Sequence, residues 1–177
     1  MMFSLGAILL AVPLYLSDDN RSASVAGLVL LVVPATMVVL GPFVGRYLDR
    51  IGARRVLRTG LVLLAAGHLG LVLATRAQLS LGLLAAVLVL AGVGIACVQT
   101  PAATGATRSP AGAQGTGLGL YNLIRFSGSA TGAAWVAIAV GVSGYPLVFA
   151  VSAVVVVLGF VGSFFGPDPL PVYVSGS

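Results

Sequence analysis

The distribution of apolar and polar residues divides the chain into six long apolar stretches separated by short polar segments. Each complete stretch is close to the roughly 20 residues that a helix needs to cross a bilayer. We therefore predict an all-α polytopic membrane protein, with residues 1–165 as one transmembrane bundle in the lipid bilayer and 166–177 as a cytoplasmic tail. The predicted helices cover about residues 1–16, 25–44, 56–75, 79–100, 114–142 and 145–165.

Composition supports this interpretation and excludes a soluble globular domain. The 177 residues include only nine Lys and Arg and four Asp and Glu, and the mean hydropathy is +1.12. A soluble chain of this length needs far more polar surface, since about a quarter of its residues are usually charged. The formal charge of +5 does not indicate a nucleic-acid partner, because the arginines lie between apolar stretches rather than on a polar face.

The arginines instead predict an orientation. One side of the membrane receives the loops after the second and fourth helices, 45–58 and 101–113, and it carries most of the arginines. The other side receives only Arg21 and Arg76. The positive-inside rule then predicts that both loops and both termini are cytoplasmic and that the protein lies in the cell (inner) membrane. The first stretch lacks a basic n-region, so we expect no cleavable signal peptide and interpret it as a helix whose beginning is missing.

The six helices divide into two units of three. Each unit contains an odd number of crossings, so a repeat built from these units must be inverted in the membrane. Inverted three-helix repeats recur in transporters. The similarity between the two units is weak at the level of single residues, so this prediction rests on helix number.

The loop after the second helix has the most specific sequence, Gly-Arg-Tyr-Leu-Asp-Arg-Ile-Gly-Ala-Arg-Arg at 45–55. A simple topogenic cluster explains the arginines but not the acid Asp49. A carboxylate there is able to pair with an arginine or with a helix N-terminus, in contacts that break and reform as two bundles rock. The segment resembles the G-x-x-x-D-R-x-G-x-R-R loop of the major facilitator superfamily. The matching residues, taken as a conformational-switch loop, are Gly45, Asp49, Arg50, Gly52, Arg54 and Arg55, whereas Tyr47 and Leu48 depart from the pattern.

A second segment strengthens the resemblance. Residues 115–132, with glycines, Asn122 and Arg125 at regular spacing, are similar to the fifth helix of the C-terminal half in drug-efflux members, the drug/proton antiporters. This resemblance implies one six-helix half of a transporter, with a substrate path between two bundles and proton-driven export of small molecules by alternating access. The second bundle is then a missing N-terminal half or a second copy in a homodimer.

Few polar residues lie inside the predicted spans. Asn122 and Arg125 share one helix stripe with Gly128 and Gly132, and glycines on a stripe allow close helix packing. A buried charge costs about 2.5–3.5 kcal/mol on insertion scales, so Arg125 snorkels, faces a wet cavity or pairs outside the chain. With His68, these two polar residues are the transport-path candidates, although snorkelling and ordinary packing explain them too. None of the four acids lies in a span, so if the intact transporter is proton-coupled, its proton carrier is expected in the other half.

No combination of catalytic residues in the sequence supports an enzymatic function. One histidine and one cysteine, Cys97, cannot build a metal centre, and a phosphate-binding glycine loop needs a lysine that the chain does not contain. We predict no catalytic residues, no metal and no cofactor. The alternative to a transporter of a small-molecule substrate is a non-transporting membrane remnant or an assembly subunit that uses its glycine-rich faces.

Overall fold

The computed structural model describes residues 1–107 and 114–165, and this part of the chain is helical almost throughout. The prediction of an all-α fold is confirmed. The predicted tail and Arg108 lie outside the described residues. The helices are α1 (Met2–Asp18), α2 (Ala23–Ile51), α3 (Ala53–Ala77), α4 (Leu81–Thr107), α5 (Gln114–Ser143) and α6 (Tyr145–Gly162).

Helices α2 to α6 are each long and apolar enough to cross a membrane, whereas α1 is apolar but has only 17 residues. At 1.5 Å per residue, α1 is about 26 Å long, slightly less than the roughly 30 Å of hydrocarbon. Helix α2 continues seven residues past its apolar stretch and takes up much of the arginine-rich segment. The segment predicted as a loop is therefore the end of one helix and the start of the next.

Helix α4 also continues beyond its apolar stretch, through Pro101 to Thr107. The hydroxyl groups of Thr100 and Thr104 donate 2.9 Å hydrogen bonds to the carbonyls of Ala96 and Thr100. Membrane helices tolerate proline because hydroxyl side chains and neighbouring helices satisfy the affected backbone groups. Pro101 removes the N–H that would bond the Cys97 carbonyl, a group that neither hydroxyl contacts, and the helix nevertheless continues past it.

The turns between helices are short and have identifiable causes. Ser22 caps α2 by accepting a 3.4 Å hydrogen bond from the Val25 backbone. Gly52 separates α2 from α3 with φ of +86°, and Gly144 precedes α6 with φ of +75°. Pro146 lies in the first turn of α6, where its missing N–H costs little.

The packing of the helices repeats between the two three-helix units. Exchanging α1 with α4, α2 with α5 and α3 with α6 converts every substantial helix contact into another one. Under this exchange the contact between α1 and α5 becomes the contact between α2 and α4, and the contact between α3 and α4 becomes that between α1 and α6. The contact between α3 and α6 is unchanged. Because each unit crosses the membrane an odd number of times, this symmetry supports two inverted three-helix repeats.

Small residues bring α3 and α4 close together at the centre of the bundle. A Cβ added at Gly94 would lie 2.6 Å from the Leu64 backbone, and one added at Gly60 would lie 2.6 Å from Cys97 Cβ. Phe149 of α6 is fully buried, with its ring 6.4 Å from that of His68 on α3. Van der Waals contact of this kind is the main attraction between helices in lipid, where hydrophobic burial contributes little.

The two helices at the flanks of the bundle, α2 and α5, are the least covered. Only 22% of the most apolar window of α2 and 17% of that of α5 is buried, against 50% for α4. Large apolar side chains such as Val38, Phe126 and Val142 are two-thirds exposed or more. These flanks face either lipid or further protein.

Candidate transport site

A cleft lies at one end of the bundle, where α1 begins, α4 ends and α5 begins. We call this end, which also contains the α2–α3 junction, the arginine-rich end. The cleft has a volume of about 370 Å³, at the lower limit of small-molecule pockets. Its walls are mostly apolar, and we name it the α1–α4–α5 cleft. It is lined by Met1, Met2, Phe3, Ala102, Tyr121, Ile124, Arg125 and Gly128.

Among the described residues that line this cleft, Arg125 has the only charged side chain. It lies eleven residues into α5, about 16 Å along the axis, and it is half-buried. The guanidinium carbon lies 5.9 Å from the ring centre of Phe126. Within residues 1–107 and 114–165, Arg125 has no ion pair and no hydrogen bond.

Tyr121 is a second polar group in the cleft, and the sequence analysis missed it. Its hydroxyl is buried without a hydrogen-bond partner in the described part of the chain. It lies four residues before Arg125, one helical turn away on the same stripe. Asn122, which was singled out from the sequence, is half-buried but does not line the cleft. Tyr121 lies four residues before Arg125 and Asn122 lies three before it. Both spacings place a residue on the same face of a helix, so the sequence could have indicated Tyr121 as readily as Asn122.

The glycine stripe of α5 contacts α1. A Cβ added at Gly132 would fall against the carbonyl oxygen of Phe3, and one added at Gly6 would fall against that of Ser129. A Cβ at Gly128 would lie 3.1 Å from Met2 Cβ. The close crossing of α1 and α5 therefore depends on both helices and forms the inner end of the α1–α4–α5 cleft.

His68 lies apart from this cleft, in the centre of α3. It is fully buried, and its Nδ1 lies 2.8 Å from the Leu64 carbonyl in the preceding turn. Its Nε2 is buried with no partner among the described residues, and the ring is 6.4 Å from that of Phe149. The structure therefore does not bring His68 together with Arg125 or Asn122.

The predicted switch loop is a helix–turn–helix junction. Asp49 and Arg50 are exposed in the last turn of α2, and Arg55 is exposed in the first turn of α3, where Arg54 is half-buried. No salt bridge to Asp49 occurs within the described ranges. A Cβ added at Gly45 would meet no atom within 4 Å, so this bundle by itself does not require a glycine there.

Arg58 has a structural role that its place in an arginine cluster did not indicate. Its side chain donates hydrogen bonds of 3.3 and 3.2 Å to the hydroxyl and carbonyl of Ser163, after the end of α6. The guanidinium carbon also lies 3.8 Å from the ring centre of Phe164. A cation at a helix C-terminus interacts favourably with the helix dipole, so Arg58 joins α3 to α6 at the arginine-rich end.

Taken together, the fold and the cleft define a multi-pass membrane protein built as a symmetric six-helix bundle, with a mostly apolar cleft that contains Arg125. A family model for the Major Facilitator Superfamily matches residues 1–176, and the chain belongs to this superfamily. The resemblance seen in the sequence is confirmed.

Similarity to individual proteins agrees with this assignment. The chain is 34% identical over 128 residues to the multidrug resistance protein Stp of Mycobacterium tuberculosis, in the strains CDC 1551/Oshkosh and ATCC 25618/H37Rv. The aligned region covers 72% of this chain but 24% of each relative. The chain therefore matches about a quarter of the length of these relatives, and the match supports the likeness to drug-efflux members.

Proposed function

We propose that the chain is the C-terminal six-helix half of a transporter that exports small molecules by alternating access. The observation that carries this proposal is the symmetric bundle with the two least covered helices, α2 and α5, at its flanks. A second bundle docked on these flanks encloses a path between the bundles. Membership of a transporter superfamily and the name of the multidrug resistance relatives support the same function.

The second bundle is either an N-terminal half or a second copy of this chain. The two halves of such transporters are related by an axis along the membrane normal, so they have the same orientation. A parallel homodimer satisfies the same geometry. In both cases the arginine-rich end lies in the cytoplasm, in accordance with the positive-inside rule, and the chain lies in the inner membrane.

Within this proposal, the α2–α3 junction acts as the conformational switch. Asp49, Arg50 and Arg55 are exposed and are therefore accessible to the second bundle. Gly45, Gly52 and Arg54 belong to the same junction. Arg125 in the α1–α4–α5 cleft is the first transport-path candidate, and Asn122 and His68 remain weaker ones. Gly128 and Gly132 serve the packing of α5 on α1.

The proposal is tested by dye export from cells that lack their own drug exporters. Cells producing this chain are loaded with ethidium, a cation, or with 8-anilinonaphthalene-1-sulfonate, an anion, and the energised efflux is compared with that of vector controls. We expect export of at least one dye, and a several-fold slower rate for Asp49→Asn at equal membrane level. Arg76→Gln, at the opposite end of the bundle, is the control and should export normally.

The size of the purified protein separates the alternatives. Export together with a particle of twice 17.7 kDa, after correction for detergent, supports a homodimeric transporter. Absence of export of either dye, from protein correctly inserted in the membrane, contradicts the proposal for this chain alone. A stable complex without export then supports an assembly subunit, whereas a lone inactive bundle is either a remnant or a half that needs its N-terminal partner.

A further inference from the structure

The α1–α4–α5 cleft contains two donors without acceptors. The Arg125 guanidinium and the Tyr121 hydroxyl both line it, one helical turn apart, and neither has a hydrogen-bond partner within the described ranges. The Tyr121 hydroxyl is buried and costly to leave unpaired, and the half-buried Arg125 adds an unpaired charge beside it. Their convergence on one recess therefore indicates an acceptor that is supplied from outside the bundle.

No acid of the described chain is placed to neutralise Arg125. Asp18 and Asp19 lie at the far end of α1, at the opposite end of the bundle. Asp49 is exposed at the end of α2 and does not line the cleft. An arginine that faces an apolar recess without a counter-ion generates a local positive potential, which attracts anions and repels cations.

We propose that this cleft binds the anionic headgroup of an amphipathic molecule. The planar guanidinium of Arg125 suits a carboxylate or a phosphate, since two parallel N–H donors match two oxygens. The Tyr121 hydroxyl donates a third hydrogen bond to the same group. The apolar part of the ligand then lies along Met2, Phe3 and Ile124, which form the remaining walls.

This inference rests on the proposed transport function, because it names the class of substrate that the transport site takes. It is nevertheless a statement about binding, which is measurable without transport. The headgroup has two possible sources, a membrane phospholipid or a free amphipathic carboxylate, and they share the same chemistry. A volume of about 370 Å³ is sufficient for a headgroup with part of one chain.

The test measures equilibrium binding of decanoate and of decanol to the purified chain in a neutral detergent. Decanol has the same chain length and lacks the charge, so it reports the apolar walls alone. We expect decanoate to bind about tenfold or more tightly than decanol at neutral pH, the usual effect of a hydrogen bond to a charged group. Equal binding of the two compounds would overturn the proposal without any substitution in the protein.

Substitutions then assign the effect to the cleft. Arg125→Gln should remove the preference for decanoate, Tyr121→Phe should reduce it about threefold to tenfold, and the matched control Arg76→Gln should retain it. Full preference in Arg125→Gln places the anion elsewhere and contradicts the inference.

Competition with short-chain dioctanoyl phosphatidylglycerol identifies the source of the headgroup. Displacement of decanoate indicates that the cleft accepts a lipid phosphate, and no displacement indicates a free carboxylate, both within the proposed chemistry. Binding without dye export would refute the transport proposal alone. Export without a preference for anions would refute only this inference.

Discussion

The hydroxyl of Tyr145 donates a 2.5 Å hydrogen bond to Asp18 Oδ2, which joins the first residue of α6 to the last residue of α1. The Tyr145 ring also meets Tyr15 edge to face, with 5.4 Å between the ring centres. At the other end of α6, Arg58 of α3 binds Ser163. Helix α6 is therefore held at both membrane surfaces, by a different neighbouring helix at each.

Removal of the Tyr145 hydroxyl should loosen the end of the bundle that lies opposite the cleft. We expect Tyr145→Phe to lower the free energy of unfolding by about 0.5–1.5 kcal/mol, because the ring contact remains and a single exposed hydrogen bond is lost. Thermal unfolding followed by the fluorescence of the single tryptophan, Trp135, measures this. Tyr47→Phe, which removes an exposed hydroxyl from α2, is the control, and an equal effect of both would contradict the prediction.

Loss of the Arg58 contacts should free the last turn of α6. Arg58→Gln removes a cation–π contact and hydrogen bonds to Ser163, which are together worth about 1–2 kcal/mol. Hydrogen exchange in residues 158–165 should become faster, with little change in α1. Arg55→Gln removes the same charge from an exposed position in the same turn of α3 and should leave exchange unchanged. Unchanged exchange in Arg58→Gln would show that the contacts do not hold α6.

A methyl group at the α1–α5 crossing should separate these helices. In Gly132→Ala the new Cβ falls against the Phe3 carbonyl, and relief of the overlap should cost about 1–3 kcal/mol of unfolding free energy. Gly119→Ala, on the same helix, meets no atom within 4 Å and should be neutral or slightly stabilising. Equal stability of the two variants, measured by thermal unfolding, would mean that the crossing is looser than described.

Two glycines at the α2–α3 junction show whether a glycine is required by its backbone conformation or by a lack of space for a side chain. Neither Gly45 nor Gly52 has an atom within 4 Å of an added Cβ, but Gly52 has φ of +86° and ψ of 154°, a region almost restricted to glycine. We expect Gly52→Ala to cost about 1–3 kcal/mol. Gly45→Ala, inside a helix, should gain about 0.5–1 kcal/mol. Thermal unfolding of both variants in parallel checks the opposite signs.

Most of the fold was predictable because membrane helices are defined by local sequence, namely length, hydropathy and the polar segments between them. The residues at which the helices begin and end were harder to predict. The stop expected at Pro101 did not occur. Proline lacks the N–H for an internal helix bond, but membrane helices tolerate it where neighbouring groups satisfy the freed carbonyl. Likewise, the arginine-rich segment is helical on both sides of Gly52, since charged residues outside the hydrocarbon do not break a helix.

The cleft was predictable only in part, because it depends on how helices cross. Arg125 was identified as a charge in an apolar span, and the glycines after it as a contact stripe. Tyr121, and not Asn122, lies beside Arg125 in the cleft because of the way α5 is rotated about its axis. The close crossing of α5 with α1 at Gly132 and Gly6 sets this rotation. Arg58 was hidden among arginines with the same topogenic signal, and only its contact with Ser163 distinguishes it.

The exchange symmetry of the helices has a consequence for biosynthesis. The helices pack chiefly across the two units, through pairs such as α3–α4 and α1–α5, rather than within one unit. Helices α1 to α3 therefore leave the ribosome before most of their partners exist. At about 5–20 residues per second, synthesis of the roughly 80 residues of α4 to α6 takes about 4–16 s. During that interval the faces of α1 to α3 that later contact α4 to α6 are open to lipid.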